Sequence, residues 1–158
     1  MRLARTSLRT ALANLRHVIG DPTDPPFLHV TRQTVQFNLA SDTQVDVTTF
    51  SQLLQAASPA SGAPVDPQTL QHMEDAIVLY QGDFLQGFSL ADSVLFEEWA
   101  VLKREQLQRQ VLAALRRLAA HYEGCGEPVS ALQVAWRVIE LDPLPAEGVY
   151  FVDLEAYA

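Results

Sequence analysis

Four arginines near the beginning of the chain lie on one side of a predicted helix. At about 100° per residue, their side chains fall within a sector of roughly 60°, and no acidic residue interrupts the helix. The four are Arg2, Arg5, Arg9 and Arg16. Guanidinium groups form paired hydrogen bonds with phosphate oxygens, so this row could contact a nucleic-acid backbone. A solvated surface helix produces the same pattern, and the spacing alone leaves both interpretations open.

A second set of polar side chains occupies the outward face of the same helix. The set consists of Thr6, Thr10, Asn14 and His17. Asparagine can pair with the major-groove edge of adenine, and threonine can bond to bases or phosphates. These residues are therefore the candidates for contacts with base edges, whereas the arginines are assigned mainly to phosphates.

The element that must present both sets is an amphipathic helix over residues 2–19. Its apolar side is formed by Leu8, Leu12, Leu15 and Ile19. Gly20 follows at a position where helices commonly end, and prolines follow soon after. Apolar runs at 27–30 and 35–39 then predict a β-hairpin, with Arg32 in the turn between them.

The rest of the chain is predicted to be helical. Asp46 and the pair Asp66–Pro67 are typical helix starts. A long helix is expected from about Asp92 to Glu123, and another over 128–141. In the loop before the long helix, aromatic residues are expected to pack against the helices and hold the loop in place. Gly82 and Gly87 are expected to adopt backbone angles that other residues avoid. The aromatic residues are Tyr80, Phe84, Phe88, Phe96 and Trp99.

The last two predicted helices fit the 34-residue tetratricopeptide pattern once. Its characteristic positions are held by Leu115, Leu118, Ala119, Tyr122, Gly126, Ala131, Ala135 and Pro143. The small residues among them would let two antiparallel helices approach closely. Any helical hairpin with a glycine turn matches part of this pattern.

Composition excludes several classes of protein. The chain has 158 residues, a net charge of −8 and one cysteine, which excludes an intrachain disulfide and a cysteine-based zinc site. Its apolar runs are far too short to span a membrane. The four histidines are scattered, and no phosphate loop, nucleophile elbow or paired acid motif occurs. We therefore expect neither an enzyme nor a bound cofactor or metal.

The charge is distributed unevenly along the chain. Residues 1–37 hold five arginines and two acidic residues, a net charge of +3, and the remainder carries −11. This asymmetry suggests a basic contact module joined to an acidic module that faces a protein partner.

Five segments together resemble the SARP-type bacterial transcriptional regulators, which join a winged helix-turn-helix to a bacterial transcriptional activator domain. ARTSLRTALANLRHVIGD (4–21) is similar to the recognition helix and PFLHVTRQTVQFN (26–38) to the wing. The activator domain is matched by VDVTTFSQLL (45–54), LYQGDFLQGFSLADSVLFEEW (79–99) and ALRRLAAHYEGCGEPVSALQVAWRVIELDPL (114–144).

The resemblance implies a mainly α chain with two domains. Residues 1–40 would form the C-terminal part of a winged helix, and residues 45–158 an incomplete, tetratricopeptide-like activator domain. It further implies a cytoplasmic, DNA-binding activator of bacterial transcription, with promoter DNA, RNA polymerase and a second copy of the chain as partners. Arg32, at the tip of the wing, would approach the minor groove or its phosphates.

Both ends depart from the family pattern. In the family, a small sheet and two helices precede the recognition helix and further helix pairs follow the segment matched here. We therefore expect a chain cut at both ends, with weak or absent DNA binding. The alternative function is a tetratricopeptide-like module that binds protein and no DNA. Residues 1–20 also resemble a mitochondrial presequence, but that interpretation leaves the hairpin and the remaining match unexplained.

Overall fold

The chain is mainly helical, as the sequence predicts. The computed structural model describes residues 2–21, 24–58 and 65–143, and for residues 2–5 only the backbone. In order, the elements are α1 (Arg2–Val18), β1 (Leu28–Val30), β2 (Val35–Phe37), α2 (Asp46–Ala56), α3 (Pro67–Leu79), α4 (Val94–Cys125) and α5 (Pro128–Leu141). They fall into two compact units, which divide between Val45 and Asp46.

The first unit begins with α1, which ends in a glycine cap. Gly20 has a φ of 67°, in the left-handed region that glycine adopts without strain. Its N–H donates to the carbonyl of His17, and the N–H of Asp21 donates to the carbonyl of Arg16 at 2.8 Å. This pair of bonds is the Schellman motif, which satisfies the last carbonyls of a helix. Gly20 therefore ends α1 at the predicted position.

A two-stranded antiparallel hairpin follows α1. Leu28 pairs with Phe37, and Val30 pairs with Val35. The turn closes without a glycine, through hydrogen bonds to the side chain of Thr31. Its hydroxyl accepts from the N–H of Gln33 at 3.2 Å and from the N–H of Thr34 at 3.0 Å. This side-chain turn leaves Arg32 exposed at the tip.

The described residues of the second unit form four helices around an apolar core, in which each helix packs against the next along the chain. The core is formed by Phe50, Ala76, Tyr80, Leu107, Val111, Leu112, Leu115 and Val138. Gln108 donates to the carbonyl of Leu141 at 2.8 Å, and Arg117 donates to the carbonyl of Ala57 at 3.1 Å. These bonds attach α4 to the ends of two other helices.

Helix boundaries agree with the sequence to within a few residues. Asp66 is the N-cap of α3 and accepts from two backbone N–H groups at 2.9 Å. Asp46 is the first residue of α2 and not its cap, although its carboxylate still accepts from the N–H of Val47. α4 begins at Val94, capped by Ser93, and extends through Cys125 to the left-handed Gly126.

The loop between α3 and α4 differs in part from the prediction. Phe84 contacts Trp99 edge to face, with ring centroids 5.5 Å apart, and Phe88 contacts Phe96 at 5.8 Å. The aromatic residues therefore do hold the loop, but Phe88 and Trp99 are about half exposed. Gly87 has a positive φ, as predicted, whereas the left-handed residue that accompanies it is Leu85 and not Gly82.

Within the described ranges, no helix is both long and apolar enough to cross a lipid bilayer.

Candidate nucleic-acid interface

The polar surface of α1 carries most of the predicted contact residues. Arg9, Asn14 and His17 are exposed, and the side chains of Arg2 and Arg5 lie outside the described residues. Thr10 is also exposed, and its hydroxyl donates to the carbonyl of Thr6 at 3.1 Å. The hydroxyl oxygen of Thr10 keeps its accepting capacity, so it can still meet a donor on a base edge.

Arg16 differs from the other arginines of α1 because it has a partner within the chain. Its Nε donates to Oδ2 of Asp21, in an ion pair whose carboxylate is completely buried. The other oxygen of Asp21 accepts from the backbone N–H of Leu28 at 2.8 Å. A single carboxylate therefore joins the end of α1 to the first strand of the hairpin.

The surroundings of Asp21 keep it ionised. Burial would raise the pKa of its carboxyl, but the hydrogen bond from Arg16 and those from the backbone of Leu28 and Phe27 outweigh this effect. The pKa of Asp21 is therefore below its usual value, and the group carries its full charge near neutral pH.

Asn38 closes the other side of the hairpin. Its side-chain amide donates to the carbonyl of Pro26 at 2.7 Å, and its backbone N–H donates to the carbonyl of Phe27 at 2.8 Å. Its side-chain oxygen accepts from the N–H of Ala40 at 3.1 Å. Both strand ends are thereby fixed, and Arg32 is held at the tip of a braced hairpin.

Sequence reasoning missed Asp21 and Asn38 because each also bonds to a backbone group of another segment, the N–H of Leu28 and the carbonyl of Pro26. The position of Asp21, directly after the glycine that ends α1, was the available signal. The helix dipole does not stabilise an acidic residue there, since anions are stabilised at the other end of a helix. Its presence therefore favours a local cationic or N–H partner.

The residues that could hold a metal do not converge. In the part of the chain that the structure describes, no group of three or more His, Cys, Asp or Glu residues lies together. Cys125 is exposed, with its sulfur 3.6 Å from Nε2 of His121. The two residues are one helical turn apart. The search for pairs of histidines at this spacing did not find them, because one member of the pair is a cysteine.

The second unit exposes apolar side chains that could face a protein partner. One stripe on α5 consists of Val129, Leu132, Trp136 and Ile139. Another, at the beginning of α4, consists of Leu95, Trp99 and Leu102. Exposed apolar stripes of this kind are typical of protein–protein contact surfaces.

Comparison with known proteins identifies the second unit. A family model described as the bacterial transcriptional activator domain matches residues 45–157. Neither the curated proteins nor the solved structures gave a significant match to the chain.

Proposed function

The chain belongs to the bacterial transcriptional activator domain family, and we propose that it is a DNA-binding regulator of bacterial transcription. The observation that carries the proposal is the exposed basic surface of α1, which is followed in the chain by a braced hairpin and then by a domain of the transcriptional-activator type. In this proposal the protein is cytoplasmic and performs no catalysis.

We assign α1 and the hairpin to the recognition helix and wing of a winged helix. α1 enters the major groove, where Asn14, His17, Thr6 and Thr10 meet base edges. Arg2, Arg5 and Arg9 bind phosphates, and Arg32 reaches the minor groove or its phosphates. The acidic second unit is assigned no contact with DNA, because its charge opposes that of the phosphates.

Salt dependence tests this assignment. Binding of a fluorescent duplex is measured by anisotropy between about 50 and 200 mM salt, for the full chain and for Arg5→Ala/Arg9→Ala. Each lost phosphate contact reduces the slope of log Kobs against log[salt] by about 0.9. The double variant should therefore bind more weakly and with a slope smaller by about 1.8.

A matched control removes two positive charges from α4 instead. Lys103→Ala/Arg109→Ala changes the net charge by the same amount but lies in the second unit. We expect its slope to equal that of the unaltered chain. Equal losses in the two double variants would mean that binding follows net charge and that α1 is not the contact surface.

The second unit is assigned to protein contacts in the same proposal. We interpret α4 and α5 as a tetratricopeptide-like helix pair that supports dimerisation and contact with RNA polymerase. This part rests on the family, on the acidic charge and on the exposed stripe of α5.

A second candidate function is a module that binds protein and no DNA. The four exposed apolar residues of α5 favour it, since such a stripe can bind a protein partner without any contact with DNA. If the unaltered chain binds no duplex at about 50 mM salt, while Trp136→Ser abolishes self-association in sedimentation, this second function replaces the first.

A further inference from the structure

The buried side chains of the first unit are polar. Among its described residues, those with the least exposure are Asp21 at 0%, Asn38 at 7% and Ser41 at 8%. Leu8, Leu15 and Val18 of α1 are exposed. The direction of the hairpin relative to α1 therefore depends on polar bonds, and Asp21 makes the bonds that connect the two.

We propose that Asp21 is the positioning residue of the nucleic-acid surface, and that Arg16 serves this junction instead of a phosphate. This inference rests on the proposed function. The carboxylate of Asp21 binds Arg16 on α1 and Leu28 on β1 at the same time. It thereby fixes the distance between the phosphate-binding Arg9 and the hairpin residue Arg32.

Charge compensation explains why Arg16 adds little to phosphate binding. Arg16 and Asp21 form an ion pair with no net charge, whereas Arg9 has no acidic partner among the described ion pairs. An arginine that is already neutralised displaces no further counterion from DNA. Arg16 therefore contributes geometry, and Arg9 contributes charge.

Asp21→Asn separates positioning from charge, because the two effects have opposite signs. The variant loses one negative charge, which by itself strengthens binding to DNA. It also leaves one acceptor oxygen where the carboxylate has two, so in either orientation the amide N–H₂ faces one of the two donors, Arg16 or the N–H of Leu28, and the junction opens. If Arg32 then loses its phosphate, affinity at about 100 mM salt falls roughly eightfold.

Asp24→Asn is the matched control for charge. Asp24 lies in the same connection between α1 and β1, and its side chain is exposed. The substitution removes one negative charge, as Asp21→Asn does, without touching the junction. We expect its affinity for the duplex to equal or exceed that of the unaltered chain.

Arg16→Gln and Arg9→Gln provide a second comparison. Glutamine at 16 can still donate to Asp21 but carries no charge. We expect Arg16→Gln to leave the salt slope unchanged, and Arg9→Gln to reduce the slope by about 0.9. A slope that falls equally in both variants would place Arg16 on a phosphate and overturn the inference.

Folding of each variant is followed by the amide signals of residues 28–37 in a ¹⁵N correlation spectrum. If the unaltered chain binds no duplex, the proposed function fails and this inference fails with it. If the unaltered chain binds and Asp21→Asn binds as tightly as Asp24→Asn, only the positioning role is overturned. Weaker binding by Asp21→Asn, with the hairpin signals of residues 30–36 retained, supports it.

Discussion

Tyr122 shows how one side chain can connect two helices. Its hydroxyl, on α4, donates to the carboxylate of Glu74 on α3. The hydrogen bond to Glu74, together with burial and the nearby negative charges, raises the pKa of Tyr122 to about 12. The phenol therefore remains a donor across the whole range in which an unfolded tyrosine ionises.

The sign of this shift gives a pH dependence. A group whose pKa is raised on folding stabilises the fold below its unfolded pKa of about 10, and this contribution disappears as the pH rises through the folded value. Tyr122→Phe should lower the free energy of unfolding by about 1–2 kcal/mol at pH 7. The difference from the unaltered chain should shrink between pH 10 and about 12.

Urea unfolding followed by circular dichroism measures that difference. Glu74→Gln is the useful companion, because glutamine keeps an acceptor for the phenol but removes the charge. It should lose less stability than Tyr122→Phe, and its own pH dependence above pH 10 should be weaker. A difference between Tyr122→Phe and the unaltered chain that stays constant up to pH 12 would refute the link to ionisation.

At the scale of elements, one arginine bonds to three backbone carbonyls of the loop before α4. Nε of Arg104 donates to the carbonyl of Phe84 at 2.7 Å, and NH2 lies 3.3 Å from the carbonyl of Leu85 and 3.4 Å from that of Phe88. Leu85 has a φ of 53°, a conformation that costs a non-glycine residue about 1–2 kcal/mol. The arginine therefore offsets strain that the loop would otherwise release.

Arg104→Ala should loosen the loop without unfolding the helices. Losing these bonds removes the local constraint, so amides of residues 84–90 should exchange with solvent at least tenfold faster. The control is Arg109→Ala, since among the described residues Arg109 bonds to the carbonyl of Glu105 on its own helix and to no part of the loop. Peptide-level hydrogen exchange by mass spectrometry resolves the two, and equal exchange in both variants would contradict the role of Arg104.

The contact between α4 and α5 depends on small side chains. Ala131, on α5, is 2% exposed. Ala131→Leu would force the two helices apart and should lower the free energy of unfolding by about 1–3 kcal/mol. Ala113→Leu, at an exposed position of α4, should change it by less than about 0.5 kcal/mol. Denaturant midpoints measure both, and equal effects would mean that the helices do not pack through Ala131.

Local signals in the sequence predicted the elements well, and connections between elements poorly. Gly20, Asp66 and the hairpin around Arg32 follow from bonds within a few residues, so their patterns are visible in the chain. Arg104 reaches 16–20 residues back to loop carbonyls, and backbone acceptors carry no sequence signature. For the same reason the row of arginines on α1 was visible, but the burial of Asp21 beside Arg16 was not.

At the scale of the whole molecule, the net positive charge lies in the first unit and the apolar core lies in the second. Every buried apolar residue among those described lies at or after Phe50. The first unit has polar burial and exposed leucines, while the second has an apolar core. Since apolar burial is the main source of folding free energy, the first unit should be the less stable of the two.

Hydrogen exchange tests this division and its connection with DNA. Without DNA, amides of α1 should exchange faster than those in the middle of α4, because local opening of α1 exposes little additional apolar surface. A duplex added in excess at low salt should slow exchange in α1 and around Arg32, since a ligand that binds only the ordered state stabilises it. The same duplex should leave α4 unchanged. Protection spread evenly over both units would contradict a contact surface confined to the first.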